Sequence, residues 1–203
     1  MLYPMEKLVG LTLHASDGDI GTVRDIYFDD RRWAVRYLIV ETGSWLESRR
    51  VLISPVSVES IDWNEGTVHL RLSRQQVKGS PDIDTHKPVS RQHELDYLDY
   101  YGYPDYLSGS LLWGMTPYPV MPPGDLKPYN AGQEARAAQS EDPHLRSRKE
   151  VVGYNLEAAD GPLGHLQDFL VDNGSWAIRY VVIDTAKWWI GKHVVIPPQW
   201  ISQ

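Results

Sequence analysis

The chain writes one stretch twice. Leu8–Val58 returns as Val151–Ile201, and a constant offset of 143 residues aligns the two copies without a gap. Gly10 meets Gly153, Asp17-Gly18 meets Asp160-Gly161, Gly21 meets Gly164, Asp25 meets Asp168 and Asp29 meets Asp172. Trp33, Arg36 and Tyr37 meet Trp176, Arg179 and Tyr180. Thr42, Trp45, Val51, Ile53 and Pro55 meet Thr185, Trp188, Val194, Ile196 and Pro198. A repeat of this length is a whole small domain rather than a solenoid unit. The expected organisation is therefore a first unit at 1–81, a connector at 82–147 and a second unit at 148–203.

Charge divides along the same lines. The net charge is −7, and the connector region 81–147 holds 5 basic and 10 acidic residues, whereas both flanking units are nearly neutral. Clustered Lys and Arg are what a phosphate backbone requires, so no direct nucleic-acid binding is expected. The chain has no cysteine, which excludes disulfides, thiolate metal sites and a Cys nucleophile, and fits a reducing, cytoplasmic setting. No basic-then-apolar leader and no run of roughly 18 apolar residues is present, so neither a signal peptide nor membrane insertion is expected.

Within the first copy, short alternating runs are punctuated by turn residues. Asp17-Gly18 supplies a tight hairpin, and Gly21 marks a bulge or a close backbone approach. Asp29–Arg32 reads as a turn, because the second copy writes it Asp172-Asn173-Gly174-Ser175. Trp33–Glu41 is apolar on both faces, as a central or strongly curled strand is. Arg49–Ile53 ends at Pro55, and Val58–Ile61 and Thr67–Leu72 form a further hairpin about Asn64-Glu65-Gly66. Ser73 and Gln76 form a capping-box signature, predicting a short helix over Ser73–Lys78. Six short strands with regular turns predict a small barrel.

This order of elements, together with Asp17, Gly18, Gly21, Asp25, Asp29, Trp33, Tyr37 and the closing Ser80-Pro81, resembles the PRC-barrel family. That family includes the cytoplasmic domain of the photosynthetic reaction-centre H subunit and the C-terminal domain of the ribosome maturation factor RimM. The resemblance covers 5–81 fully and 148–203 in part. It implies a mainly β chain: two small barrels of short antiparallel strands, joined by an aromatic, Pro-rich connector with one short helix. Gly18, Gly21, Asp25, Trp33 and Tyr37, with Gly161, Gly164, Asp168, Trp176 and Tyr180, are the structural positions. The family implies a scaffolding or assembly role through protein contacts.

The connector predicts a helix over Ser90–Tyr101, stopped by Gly102. An aromatic belt follows, and Asn130–Arg148 reads as a mobile tether. The belt has two readings, local packing across a barrel face or a docking strip for another protein. The docking reading nominates Tyr97, Tyr101, Tyr106 and Trp113, and the apolar loop of the second copy adds Trp188 and Trp189. The second copy ends at Gln203, so nothing equivalent to Ile61–Pro81 follows it. A core face left open there predicts a homodimer or a connector strand that fills the gap, unless the chain is a shortened one.

Chemistry-bearing patterns are sparse. Gly18-x-x-Gly21 lacks the following helix of a nucleotide loop. The seven histidines (14, 69, 86, 93, 144, 165 and 193) form no i, i+4 or H-x-H pair, and no G-x-S-x-G elbow occurs. Asp25, Asp168, Asp29 and Asp172 recur in both copies, which suits turn caps accepting backbone N–H groups better than catalysis. Arg36 and Arg179 are placed to pair with these acids across the sheet. The expected function is a non-enzymatic, self-associating protein-interaction module without a cofactor. Two alternatives are a ribosome-assembly or RNA-processing accessory acting through a protein partner, and a small-molecule or metal sensor at the inter-barrel crevice.

Overall fold

Asp17-Gly18 and Asp160-Gly161 open the two longest strands of the chain, and both glycines take the left-handed backbone (φ 137° and 139°) that a tight hairpin needs. The computed structural model describes residues 1–81, 91–104, 110–114, 116–120, 144–185 and 193–201. Tyr106, Trp188 and Trp189 lie outside them.

The first copy contains β1 (Leu2–Pro4), a 3₁₀ turn at Met5–Leu8, β2 (Thr12–Ala15), β3 (Gly18–Asp29), β4 (Ala34–Thr42) and β5 (Arg50–Ile53). β6 (Val58–Asp62), β7 (Thr67–Leu70) and α1 (Arg74–Lys78) complete it. Ser73 and Gln76 cap α1 reciprocally, as their spacing predicts: Gln76 N–H donates to Ser73 Oγ (3.2 Å) and Ser73 N–H to Gln76 Oε1 (2.8 Å). The connector forms α2 (Arg91–Tyr101). The second copy contains β8 (Leu145–Ser147), α3 (Arg148–Val151), β9 (Asn155–Ala158), β10 (Gly161–Asp172), β11 (Ile178–Asp184) and β12 (His193–Ile196). The chain is mainly β, in two curled sheets. One runs β5-β4-β3-β2-β7-β6, with β8 also on β3; the other runs β1-β10-β11-β12, with β9 also on β10.

The offset of the sequence repeat is also the offset of the strand registers. In β3–β4, Asp25 faces Ile39, Tyr27 faces Tyr37 and Phe28 faces Val35. In β10–β11, Asp168 faces Val182, Leu170 faces Tyr180 and Val171 faces Ile178. Both ladders slip at the same two places, before the Asp and after the residue facing Tyr. Such paired bulges curl each long strand around its core.

The leading strands are exchanged. β1, at the start of the first copy, pairs with β10 of the second, setting Tyr3 opposite Val171. β8, the leading strand of the second copy, pairs with β3 of the first, setting Arg146 opposite Phe28. The two pairings map onto each other at the 143-residue offset, so the chain has an internal pseudo-dyad. Ala34 and Ala177 bridge on that axis, with Val35 N–H donating to Trp176 O (2.9 Å) and Ile178 N–H to Trp33 O (2.7 Å). Each carbonyl reaches across because its tryptophan is left-handed, φ 54° at Trp33 and 57° at Trp176. A non-glycine residue resists that conformation by about 1–2 kcal/mol, and here the preceding turn imposes it. Asp29 Oδ1 accepts from the N–H groups of Arg31 and Arg32, and Asp172 Oδ1 from those of Gly174 and Ser175. The bond from Ser175 N–H is the main reason that the Asp172 carboxyl lies below its ordinary value. Phe28 and Phe169 meet at the junction with ring centroids 4.8 Å apart, and one hydrophobic cluster runs through both copies.

Two sequence expectations change here. Leu145–Arg148 is strand and helix start rather than tether, because the other copy supplies its ladder partner. Asp25 and Asp168 do not cap turns of their own copy; they cap the opposite one. Lys149 N–H donates to Asp25 (3.1 Å) and Glu6 N–H to Asp168 (3.1 Å), at the exposed N–H ends of α3 and of the Met5–Leu8 turn.

Candidate interaction surface

The two copies share a fold core but differ in what covers it. In the first, β6, β7 and α1 close one side, and Val68, Leu70, Leu72 and Val77 from that segment are all buried. The outer face of β4 and β5 is covered by α2, whose Tyr97 ring stands edge-on to Tyr37 at 5.3 Å. Ser54 N–H donates to Tyr97 Oη (2.9 Å), and Tyr100 Oη donates to Gln76 O (2.9 Å), fastening α2 to the barrel. Arg49 donates to Lys78 O (2.9 Å) and Val77 O (3.2 Å) at the carbonyl end of α1.

The second copy has no such cover among the described residues. Val51 and Leu52 are 1% and 2% exposed, whereas Val194 and Val195 at the same positions are 38% and 47% exposed. Tyr37 is 1% exposed and Tyr180 is 38%. Leu156, Leu163 and Ile196, which correspond to the fully buried Leu13, Ile20 and Ile53, are half-buried. Tyr154 and Trp200 stand out further into solvent at the margins. Pro197 occupies the place of Ser54 and has no N–H, so the bond that anchors α2 on the first copy cannot form on the second. α2 packs on the first copy.

The nominated contact residues fall differently from the docking expectation. Tyr97 and Trp113 are buried within the chain, and Tyr101 is half-buried against Tyr103, with stacked rings 5.1 Å apart. Trp113 Nε1 donates to Ser175 O (2.8 Å) and its ring lies 4.9 Å from the Arg36 guanidinium. This part of the aromatic belt packs across the two copies, because its rings find apolar faces and carbonyl acceptors inside the chain. Tyr106, Trp188 and Trp189 lie outside the described residues. Gly18, Gly21, Asp25, Trp33 and Tyr37 and their counterparts Gly161, Gly164, Asp168 and Trp176 occupy turns, close approaches, caps and core, while Tyr180 is on the open face. Val194, Val195, Tyr154 and Trp200 are exposed and were not singled out individually by sequence reasoning.

Chemical groups are placed as follows. Arg36 is fully buried, donates to Leu112 O and lies 3.5 Å from Asp29, whereas Arg179 is exposed. Burial pushes the Tyr97 phenol well above its ordinary value and the Tyr101 phenol up to about 12, so both stay protonated near neutral pH. His14 and His69 are brought side by side on β2 and β7 (ring centroids 5.7 Å), and His14 Nδ1 is 2.7 Å from Asp19. Among the described residues no group of three His, Asp or Glu side chains is placed to hold a metal ion. A cavity of about 160 Å³ lies between the copies, lined by Pro55, Ile61, Pro119, Gly174 and Trp176 among others. Small-molecule sites usually run from about 300 Å³ upward. No helix among the described residues is long and apolar enough to cross a membrane.

Residues 4–76 match the PRC-barrel domain family. Over 75 residues, 36% of this chain, the sequence is 37% identical to an uncharacterized protein of Deinococcus radiodurans. The matched stretch is 27% of that relative, so the chain spans about a quarter of its length.

Proposed function

We propose, from the PRC-barrel domain that residues 4–76 form and the open copy that follows it, that this chain is a non-enzymatic interaction module. The first barrel and α2 are the closed, load-carrying half, and the second copy presents the binding face. One observation carries the reading: equivalent valines are 1% exposed at Val51 and 38% exposed at Val194. The same sequence element is core in one copy and surface in the other, and contiguous apolar surface of that kind marks an interaction site more often than a free monomer face.

The test places a photo-crosslinking phenylalanine at Val195 or Tyr180, and at Glu65 in the exposed β6–β7 turn as a control. Crosslinking in the native cell should give discrete higher-mass adducts from positions 195 and 180 and none from 65. A product of twice the chain mass would identify the partner as a second copy. Equal products from all three positions, or intrachain products alone, would count against the proposal.

A further inference from the structure

β2 is an interior strand. It pairs antiparallel with β3 on one side and parallel with β7 on the other, matching Thr12 to Thr67, Leu13 to Val68 and His14 to His69. Thr12 N–H donates outward to Gly66 O (3.0 Å). β9 is the same strand in the second copy. Leu156 faces Gly164 as Leu13 faces Gly21, so the inner ladder is conserved between the copies. Its outer edge meets no strand among the described residues. Leu156, Leu163 and Ile196 are half-buried, whereas their counterparts Leu13, Ile20 and Ile53 are fully buried in one cluster with Val68 and Leu70.

The first copy therefore shows how such an edge is filled. We propose that the outer edge of β9 takes an extended segment of a partner protein, laid parallel to β9 with apolar side chains at alternate positions. This rests on the reading of the second copy as a binding face and names the partner's chemistry. Main-chain hydrogen bonds to an open edge supply affinity in such an arrangement, and alternate side chains supply selectivity. The template is Thr67-Val68-His69-Leu70, whose Val68 and Leu70 point into the core. Charge sharpens the pattern. Glu157 stands where the first copy has His14, so the partner residue beside it, in the place of His69, faces an exposed carboxylate. A Lys or Arg there is complementary, and an acidic residue is repelled.

The probe is a labelled peptide copying Glu65–Gln76 of this chain with the change His69→Lys, titrated into the full-length protein. Binding should be saturable and should slow amide hydrogen exchange at 155–158. The His69→Glu peptide should bind at least about threefold more weakly. A peptide N-methylated at the Val68 and Leu70 amides, which the parallel ladder uses, should not bind. Equal binding of the N-methylated peptide, or unchanged exchange at 155–158, would overturn the proposal. So would exchange at 155–158 that is already as slow as in β2 without peptide: the edge is then held by this chain, or by a second copy if the protection rises with concentration. If the peptide fails while crosslinks from position 195 persist, the strand proposal falls and the binding-face reading stands. If both fail, both fall.

Discussion

Asp168→Ala is expected to destabilise the protein by about 3–5 kcal/mol, the usual cost of removing one member of a buried ion pair. Arg148 Nε lies 3.0 Å from Asp168 Oδ1, and the two side chains are 12% and 7% exposed. Without the carboxylate a guanidinium is left in a site that water barely reaches, its remaining acid being Glu6 at 3.9 Å, which is itself mostly solvated. Glu6 N–H loses its acceptor at the same time. Asp25→Ala removes the equivalent cap. Asp25 accepts from Lys149 N–H and from Ser147 Oγ (2.6 Å), which in turn caps α3 at Glu150 N–H. No buried cation is stranded there, so the expected loss is smaller, about 1–3 kcal/mol. Urea unfolding followed by tryptophan fluorescence reads both variants. Since each aspartate ties one copy to the other, both variants should keep a single transition at lower midpoint. A loss below about 1 kcal/mol for Asp168→Ala would show that Arg148 finds water, contrary to the packing described.

Gly21→Ala is the second large effect. A Cβ at Gly21 would lie 2.0 Å from Glu41 O and 2.8 Å from Thr42 Cα, both backbone atoms of the neighbouring strand. β3 is held there between β2 and β4, so the strand has nowhere to retreat. A loss of about 3–5 kcal/mol is expected, at the upper end for single substitutions. Gly164→Ala meets the same obstacle, with Asp184 O at 2.2 Å, and its φ of 144° adds backbone strain. Here, however, the flanking β9 has no strand on its outer side among the described residues and can shift outward. Gly21→Ala should therefore cost more than Gly164→Ala, and thermal unfolding of the two variants checks the order. The reverse order would mean that the second copy is the more rigidly enclosed of the two.

Much of this architecture was legible in the sequence because it is local or repeated. The 143-residue offset carries the turns at Asp17-Gly18 and Asp160-Gly161, the Asp29 and Asp172 turns and the central strands. The capping box at Ser73 and Gln76 is a four-residue pattern and was read directly. The strand exchange was not legible. Leu2–Pro4 and Leu145–Ser147 are too short to show a period, and their partners lie over a hundred residues away. The partners of Asp25 and Asp168 depend on that exchange, so the acids were read as turn caps when they bind the opposite copy. The aromatic belt admits two readings in the sequence for another reason: Tyr97 and Trp113 suit an interface and a core equally well, and only burial separates the two. The proline at 197 in place of Ser54 removes the backbone N–H that bonds Tyr97 in the first copy, a difference with no periodic signature.

The exchange also ties the core of the second copy to that of the first. Among the described residues no strand of the second copy stands in the place of β6 or β7, yet that copy receives β1 from the first and shares the Phe28–Phe169 junction with it. Buried residues of both copies belong to one hydrophobic cluster, so the core of the second is continuous with that of the first.

The pseudo-dyad is the centre of this account, and one disulfide tests it. Ala34 and Ala177 form a bridge flanked by the Val35–Trp176 and Ile178–Trp33 hydrogen bonds, the pattern of a non-hydrogen-bonded antiparallel pair. Such pairs place Cα atoms about 4.5 Å apart, within the range a disulfide spans. The chain has no other cysteine, so the Ala34→Cys/Ala177→Cys double variant gives an unambiguous readout. Under mild oxidation of the native protein, intact mass and thiol counting should show one intramolecular disulfide formed close to completion. Two free thiols in the folded protein, or a disulfide formed only between chains, would contradict the exchanged arrangement.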